Sequence, residues 1–385
     1  VAASPAVVGG SAAARAWNRL AGAKRLGGID LARGLALVGM FAAHLLTIDS
    51  FDVAEPSTWI DIVNGRSAIL FATLAGVSIA LVTGGATPVV GVARRVARRR
   101  LGIRAGFLWI LGVILIFTGV PIYVILPAYA VLFCLAMPLL GVRPRALFAI
   151  AAILTLTMPF LVAVIEAIFG WGEATDSALG LLVGWAYPFP VWSIFLITGL
   201  ALGRLDLSRT RVQTSAVVFG AIAAIVGYTL AAVFPAPPVT YDMTGAPTDA
   251  VAWFLASVWT ADAHSGGILE VLASGGVAVA VIGACVLICR TALRWVFLPL
   301  RAAGTMPLTA YSLQVLVWAV WSQFALGTTT DLWGFRALEP FWPLTIAVLL
   351  VCMVWALVVG RGPLENLSNT LSRRLVPGPK ITRLE

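Results

Sequence analysis

Ten apolar stretches follow one another along this chain, at about 29–46, 65–83, 103–120, 122–141, 146–169, 187–203, 213–234, 266–289, 305–326 and 341–360. At a rise of about 1.5 Å per residue, stretches of this length suit single helical crossings of a hydrocarbon core roughly 30 Å thick. Inside such a core every backbone polar group must be bonded within the protein, which leaves helices as the unit of construction for a chain with no barrel pattern. The expectation is an all-α polytopic membrane bundle of about ten transmembrane helices. Composition agrees: only 11% of the 385 residues are charged, against about 25% in soluble domains.

The charges between the stretches sort by side. With the N-terminal segment in the cytoplasm, the inner segments hold Arg15, Arg19, Lys24, Arg25 and Arg33, and then the dense run from Arg94 to Arg104. They continue with Arg143 and Arg145, Arg204 to Arg211, Arg290 to Arg301, and Arg361 to Arg383. The outer segments keep Arg66 and Arg336 and collect most of the acids, among them Asp49, Asp61, Glu173, Asp262 and Asp331. This is a positive-inside pattern with both termini cytoplasmic, as expected of a multi-pass protein of the cell membrane. It accounts for the net charge of +9 without nucleic acid. Residues 1–28 lack a continuous apolar core and read as a flexible cytoplasmic lead-in rather than a cleaved signal peptide. Residues 29–360 then form one transmembrane domain and 361–385 a cytoplasmic tail. Trp59, Trp171, Trp185, Trp253, Trp259 and Trp333 stand in the outer segments, either as an interfacial belt or as rings lining an acceptor site. Cys134, Cys285, Cys289 and Cys352 lie in apolar runs without zinc-like spacing, so no metal is expected.

Ionisable residues inside membrane spans are costly and are therefore candidates for function. The first stretch, Lys24 to Leu46, carries three of them. Asp30 and Arg33 can pair on one helix face at its cytoplasmic end. They form either an anchoring ion pair or a positive site for an anionic cofactor. His44 follows 14 residues after Asp30, about 21 Å along the axis and within about 40° of the same face. It is either a general base or a hydrogen-bonding partner for a neighbouring helix. His264, in Asp262-Ala263-His264-Ser265-Gly266-Gly267, maps to the same outer side, where Asp262 and Ser265 could also be helix caps. Glu270 is the acid deepest in a span. Its spacing of six from His264 takes it off that residue's helix face, so pairing is expected with His44 instead. Glu166 reads as structural. Arg66 is either a snorkelling anchor or a partner for an anionic acceptor. The Arg94–Arg104 cluster is explained by topology and anionic lipid, or by a cofactor's phosphates.

The opening stretch, with Arg25, Ile29-Asp30, Arg33-Gly34 and Met40, resembles the first core helix of transmembrane acyltransferases related to heparan-α-glucosaminide N-acetyltransferase. Phe71-Ala72-Thr73-Leu74-Ala75-Gly76-Val77-Ser78 resembles the second core helix. Gly304-Thr305-Met306-Pro307-Leu308-Thr309-Ala310-Tyr311 and Gly362-Pro363-Leu364-Glu365 resemble C-terminal signatures of related bacterial membrane proteins. The resemblance implies transfer of an acetyl group from cytoplasmic acetyl-CoA to a sugar-type acceptor on the far side. It also exposes a departure. The eukaryotic enzyme has its catalytic histidine before the second core helix, just ahead of a tryptophan; here Pro56-Ser57-Thr58-Trp59 holds none. That role falls to His44 or His264, or is absent.

The leading expectation is therefore a membrane acyltransferase. Acyl-CoA would bind near Asp30 and Arg33, and His44, His264 and Glu270 would supply the catalytic groups. Arg66 and Trp59 would hold the hydroxyl or amine of an extracytoplasmic glycan or glycolipid. Membrane lipids are the other partners, and a homodimer is left open. The alternative is a transporter or lipid translocator in which Asp30, Arg33 and Glu270 form a proton-coupling set. A non-catalytic partner of an envelope-building complex is a third reading.

Overall fold

A computed structural model describes residues 25–169, 177–243 and 247–378. Most of the N-terminal lead-in, residues 170–176 with Trp171, Glu173 and Asp176, and the end of the tail lie outside these. Among the described residues the fold is helical: α1 (Gly27–Leu45), α2 (Arg66–Val82), α3 (Gly91–Ile116), α4 (Leu126–Ala136), α5 (Pro144–Phe169), α6 (Ala178–Val183), α7 (Phe189–Gly203) and α8 (Thr210–Val233). The second half adds α9 (Ala250–Val258), α10 (Ile268–Ile288), α11 (Leu298–Gly304), α12 (Pro307–Leu326), α13 (Leu332–Ala337), α14 (Phe341–Val358) and α15 (Pro363–Leu375). A 3₁₀ helix (Pro56–Val63) leads into α2 and another (Met137–Gly141) prolongs α4.

Six of these segments are long and apolar enough to cross a membrane: α1, the 3₁₀ helix with α2, and α5, α8, α10 and α14. Leu126–Gly141 and α7 are shorter apolar helices. Helices also cover the apolar stretches at 103–120 and 305–326, but α3 begins twelve residues early at Gly91 and carries the arginine cluster in its first half. α1 is the centre of the bundle, with 72% of its apolar window buried, against 22% for α5 and for α8. The outward faces of those two are apolar, with Ile153, Leu156, Phe219 and Ile225 exposed.

Small residues let the helices approach, as expected where lipid supplies no hydrophobic drive between helices. A Cβ on Gly76 of α2 would run into the Leu196 carbonyl of α7, and one on Gly199 of α7 into the Thr73 carbonyl of α2. Gly276 of α10 faces Gly220 of α8 in the same way, and Gly34 of α1 lies against Leu300 of α11. Buried Arg204, just after α7, closes one end of the bundle. Its Nη1 donates to the carbonyls of Ala80 (3.0 Å) and Gly85 (3.0 Å), and its Nη2 to that of Leu140 (2.6 Å). The two C-terminal motifs dock on each other. Glu365 accepts from the Leu308 and Thr309 amides (2.7 and 3.1 Å), so its carboxylate caps the N-terminus of α12.

Candidate active site

Asp30 lies in the first turn of α1 and is buried. Arg33 reaches it from one helical turn on, Nη1 to Oδ1 at 3.0 Å, and Arg25 reaches it from ahead of the helix, Nε to Oδ2 at 2.5 Å. Arg33 is further committed: its Nη2 donates to Ser78 Oγ at 2.7 Å. The expected pair is thus a three-membered cluster that ties α1 to α2, with one guanidinium edge of Arg33 on a small cavity of about 160 Å³.

At the other end of α1, His44 and His264 line one cavity of about 500 Å³. They come from opposite halves of the chain. Gln314 Nε2 lies 3.5 Å from His44 Nδ1, and Arg336 Nε donates to the His44 carbonyl at 3.1 Å, closing the C-terminus of α1 with a cation. His264 sits in the loop before α10 with a left-handed φ of 64°. Its ring meets Tyr187 edge-on at 6.2 Å between centroids. Its side chain is exposed to the cavity, and the protein packed around that cavity lowers its pKa.

Glu270 does not pair with His44, as the sequence led us to expect. Its Oε1 accepts from the His264 amide at 2.7 Å, and its Oε2 from the Gly266 amide at 2.6 Å and Ser265 Oγ at 3.2 Å. The helical spacing rule fails because His264 lies in a loop that folds back over the helix start. Glu270 is a positioning residue for that loop. Ser265 Oγ accepts from Gly267 N, and Asp262 bonds Thr260, so neither caps α10 itself. Gly65, at φ 66°, packs against Ala263 and the His264 amide from the other side, where a Cβ would be both strained and within 3.0 Å of the Ala263 Cβ.

Arg66 and Trp59 are not brought into this cavity. Arg66 turns to the far side of the Asn64-Gly65 rim, with Nε donating to Tyr228 OH at 2.6 Å. Trp59 is half exposed and donates to the Val53 carbonyl. Glu166, read as structural, lines the cavity, as do Tyr187, Tyr311 and Arg336. Tyrosines scattered through apolar runs gave no sequence signal of that convergence.

The small cavity at Arg33 shares Ile125 and Tyr311 with the histidine cavity. It shares Leu108, Phe133 and Leu308 with a third, of about 830 Å³, lined by Arg25, Arg100, Arg104, Arg361 and Arg373. The three lie end to end. Arg361 and Arg373 come from the chain around α15, whose Asn369 accepts from Arg104 at 3.2 Å. Among the described residues no three His, Cys, Asp or Glu side chains gather as a metal site would require.

A helical bundle with six membrane-length apolar helices and a histidine-lined cavity defines a membrane protein with the makings of an acid–base site. The family follows from the sequence match. Over residues 25–234, more than half the chain, it fits the family described as heparan-alpha-glucosaminide N-acetyltransferase, catalytic, and it belongs to that family. This makes a membrane acetyltransferase its coarse functional class. No curated protein matches the chain. His44, Asp30, Arg33 and Arg66 fall inside the matched stretch; His264, Glu270 and Arg336 lie beyond it.

Proposed function

We propose that this protein moves an acyl group, in the first instance acetyl, from cytoplasmic acyl-CoA to a hydroxyl or amine of an extracytoplasmic glycan or glycolipid. The observation that carries the reading is the row of three cavities, arginine-lined at one end and histidine-lined at the other. The topology that goes with it is ten crossings in the cell membrane with the N- and C-terminal segments cytoplasmic. Arg204 near one end of the bundle and both histidines at the other are in keeping with that assignment.

In this reading Arg100, Arg104, Arg361 and Arg373 take the donor's phosphates, since planar guanidinium forks suit phosphate oxygens. Arg33, held by Asp30, lines the small cavity, and the pair does not itself carry the phosphates. The acyl end lies along the small apolar cavity with its thioester carbon toward His44 and His264. A neutral imidazole takes the acceptor's proton as its oxygen or nitrogen attacks that carbon, and the carbon–sulfur bond breaks. The CoA thiolate leaves with the electron pair and is protonated in turn. The protein around His264 lowers its pKa, which favours the neutral ring that a base requires. His44 faces the same space with Gln314 beside it, so direct transfer and a covalent acyl-histidine are both open to it. The proton-coupling set of the transporter reading is divided. Gly28, two residues before Asp30, packs on Cys285 and Val286, about 22 Å along α10 from Glu270.

The test is acetyl transfer by purified protein with His44→Ala and His264→Ala. Loss of the base is expected to cost about 10²-fold or more in rate. Wild-type protein that binds no acetyl-CoA, together with histidine variants that behave like wild type, ends the proposal.

A further inference from the structure

A fourth cavity adjoins the active site and is not explained by a soluble acceptor. A groove of about 590 Å³ runs down α1 between Leu46 and Leu35, walled by α2, α10 and α14. Eleven residues of helix give it a length of about 16 Å. Its lining is apolar, including Val38, Ala42, Val281 and Phe341, and Arg66 is the one charged residue on it among the described residues. Leu35 and Trp342 are exposed on its flank, so it opens toward lipid.

Arg66 sits at the outer rim. Its Nε is held by Tyr228 OH at 2.6 Å and its Nη1 by the Asp61 carbonyl at 3.2 Å, with the Tyr228 ring 5.1 Å away. Nη2 makes no hydrogen bond and the guanidinium no ion pair among the described residues. Glu270, the acid near enough to act on it, is engaged with the His264 loop. Val63 and Ser67 line both the groove and the histidine cavity, with Asn64 and Gly65 facing the cavity and Arg66 the groove. Groove, cation and base therefore follow one another across the Asn64-Gly65 rim.

We propose that the acceptor is a lipid-linked glycan, with its apolar tail in this groove, the phosphate at the head of the tail against Arg66, and its sugar over the rim beside His44 and His264. The assignment rests on the acyltransferase reading and names its acceptor class. A tail supplies the match to the apolar walls, and a phosphate supplies the charge that Arg66 lacks. A water-soluble glycan would use neither.

The test is photolabelling of the full chain in lipid nanodiscs by a polyprenyl diphosphate monosaccharide carrying a diazirine in its tail. Cross-links are expected on the groove face of α1 and around Val277 and Val281 of α10. Arg66→Gln should cut them about tenfold, Arg66→Lys should retain most, and Val38→Trp, which fills the groove without touching Arg66, should abolish them. A neutral glycosyl diacylglycerol with the same diazirine should label less and be indifferent to Arg66. Cross-links spread over the exposed faces of α5 and α8, or equal labelling of wild type and Arg66→Gln, overturn the assignment. Acetyl-CoA binding is measured in the same nanodiscs. Binding without groove labelling sinks the lipid assignment alone, whereas groove labelling without acetyl-CoA binding sinks the acyltransferase reading and the acceptor with it.

Discussion

Glu270→Gln isolates the role of the one carboxylate that holds the His264 loop. His264 adopts φ 64°, a conformation costing a non-glycine residue on the order of 1 kcal/mol, so the loop must be restrained to stay there. The restraint is three hydrogen bonds to Glu270, two of them from backbone amides at 2.7 and 2.6 Å. Hydrogen bonds to a charged group are worth roughly 1.5–3 kcal/mol each, and a buried donor left unpaired costs about 1–3 kcal/mol. Glutamine keeps the size of the side chain but offers one oxygen, and its NH₂ faces an N–H donor. The expected loss is about 3 kcal/mol, and at about 1.4 kcal/mol per tenfold the loop should open roughly 100-fold more often. Hydrogen exchange reads this directly, as faster exchange of the His264 and Gly266 amides with the core of α10 unchanged. On the proposed reading acyl transfer should fall with it, while the KM for acyl-CoA, assigned to the other end of the bundle, should hold. Exchange at both amides within about twofold of wild type would refute the reasoning, since it would mean that packing rather than the carboxylate fixes the loop.

Acidification should act through His264. Its folded pKa is lowered, so the unfolded chain takes up the proton first; this contribution to stability is complete above about pH 6.5 and is lost as pH falls below it toward the folded value. Thermal melts across that range should show the slope, and His264→Gln should reduce it. Arg336→Gln removes two bonds to the carbonyls of His44 and Ala43 at the end of α1. Tm and transfer rate should both drop, by about 1–2 kcal/mol in stability, with Arg336→Lys restoring only part because lysine lacks the fork.

What the sequence made legible follows from local rules. The Asp30–Arg33 pair needed only helical spacing, and both histidines shared a side because charge alternation sets topology. Other contacts needed the third dimension. Arg25 joins Asp30 from outside the helix, where spacing rules do not apply. Glu270 was misjudged by treating His264 as helical, when a left-handed residue turns the chain back on itself. Arg361 and Arg373 looked like topological charge until α15 laid them beside Arg104. Glu365 had no visible partner until it capped α12, more than fifty residues away.

The middle cavity separates acyl transfer from transport. It holds about 160 Å³, walled by Phe71, Leu74, Leu108 and Phe133, with Arg33 and Ser78 bonded to each other and the Tyr129 and Tyr311 side chains also on it. A sugar passing through would shed the water from several hydroxyls at about 1–3 kcal/mol each, with the Tyr129 and Tyr311 hydroxyls to replace only part of it. A thin thioester arm sheds far less. On the proposed reading the acyl group alone crosses here, while donor and acceptor each stay on their own side. Ala75 lines this cavity and is half-buried, so Ala75→Leu should narrow it without disturbing either end. Transfer should fall about tenfold or more, the cost of roughly 1.4 kcal/mol of overpacking in the path, while acetyl-CoA still binds at the arginine-lined end. The opposite finding, a labelled sugar equilibrating across wild-type proteoliposomes with no acyl donor present, would mean that the passage carries the glycan itself, and acyl transfer would lose its physical basis.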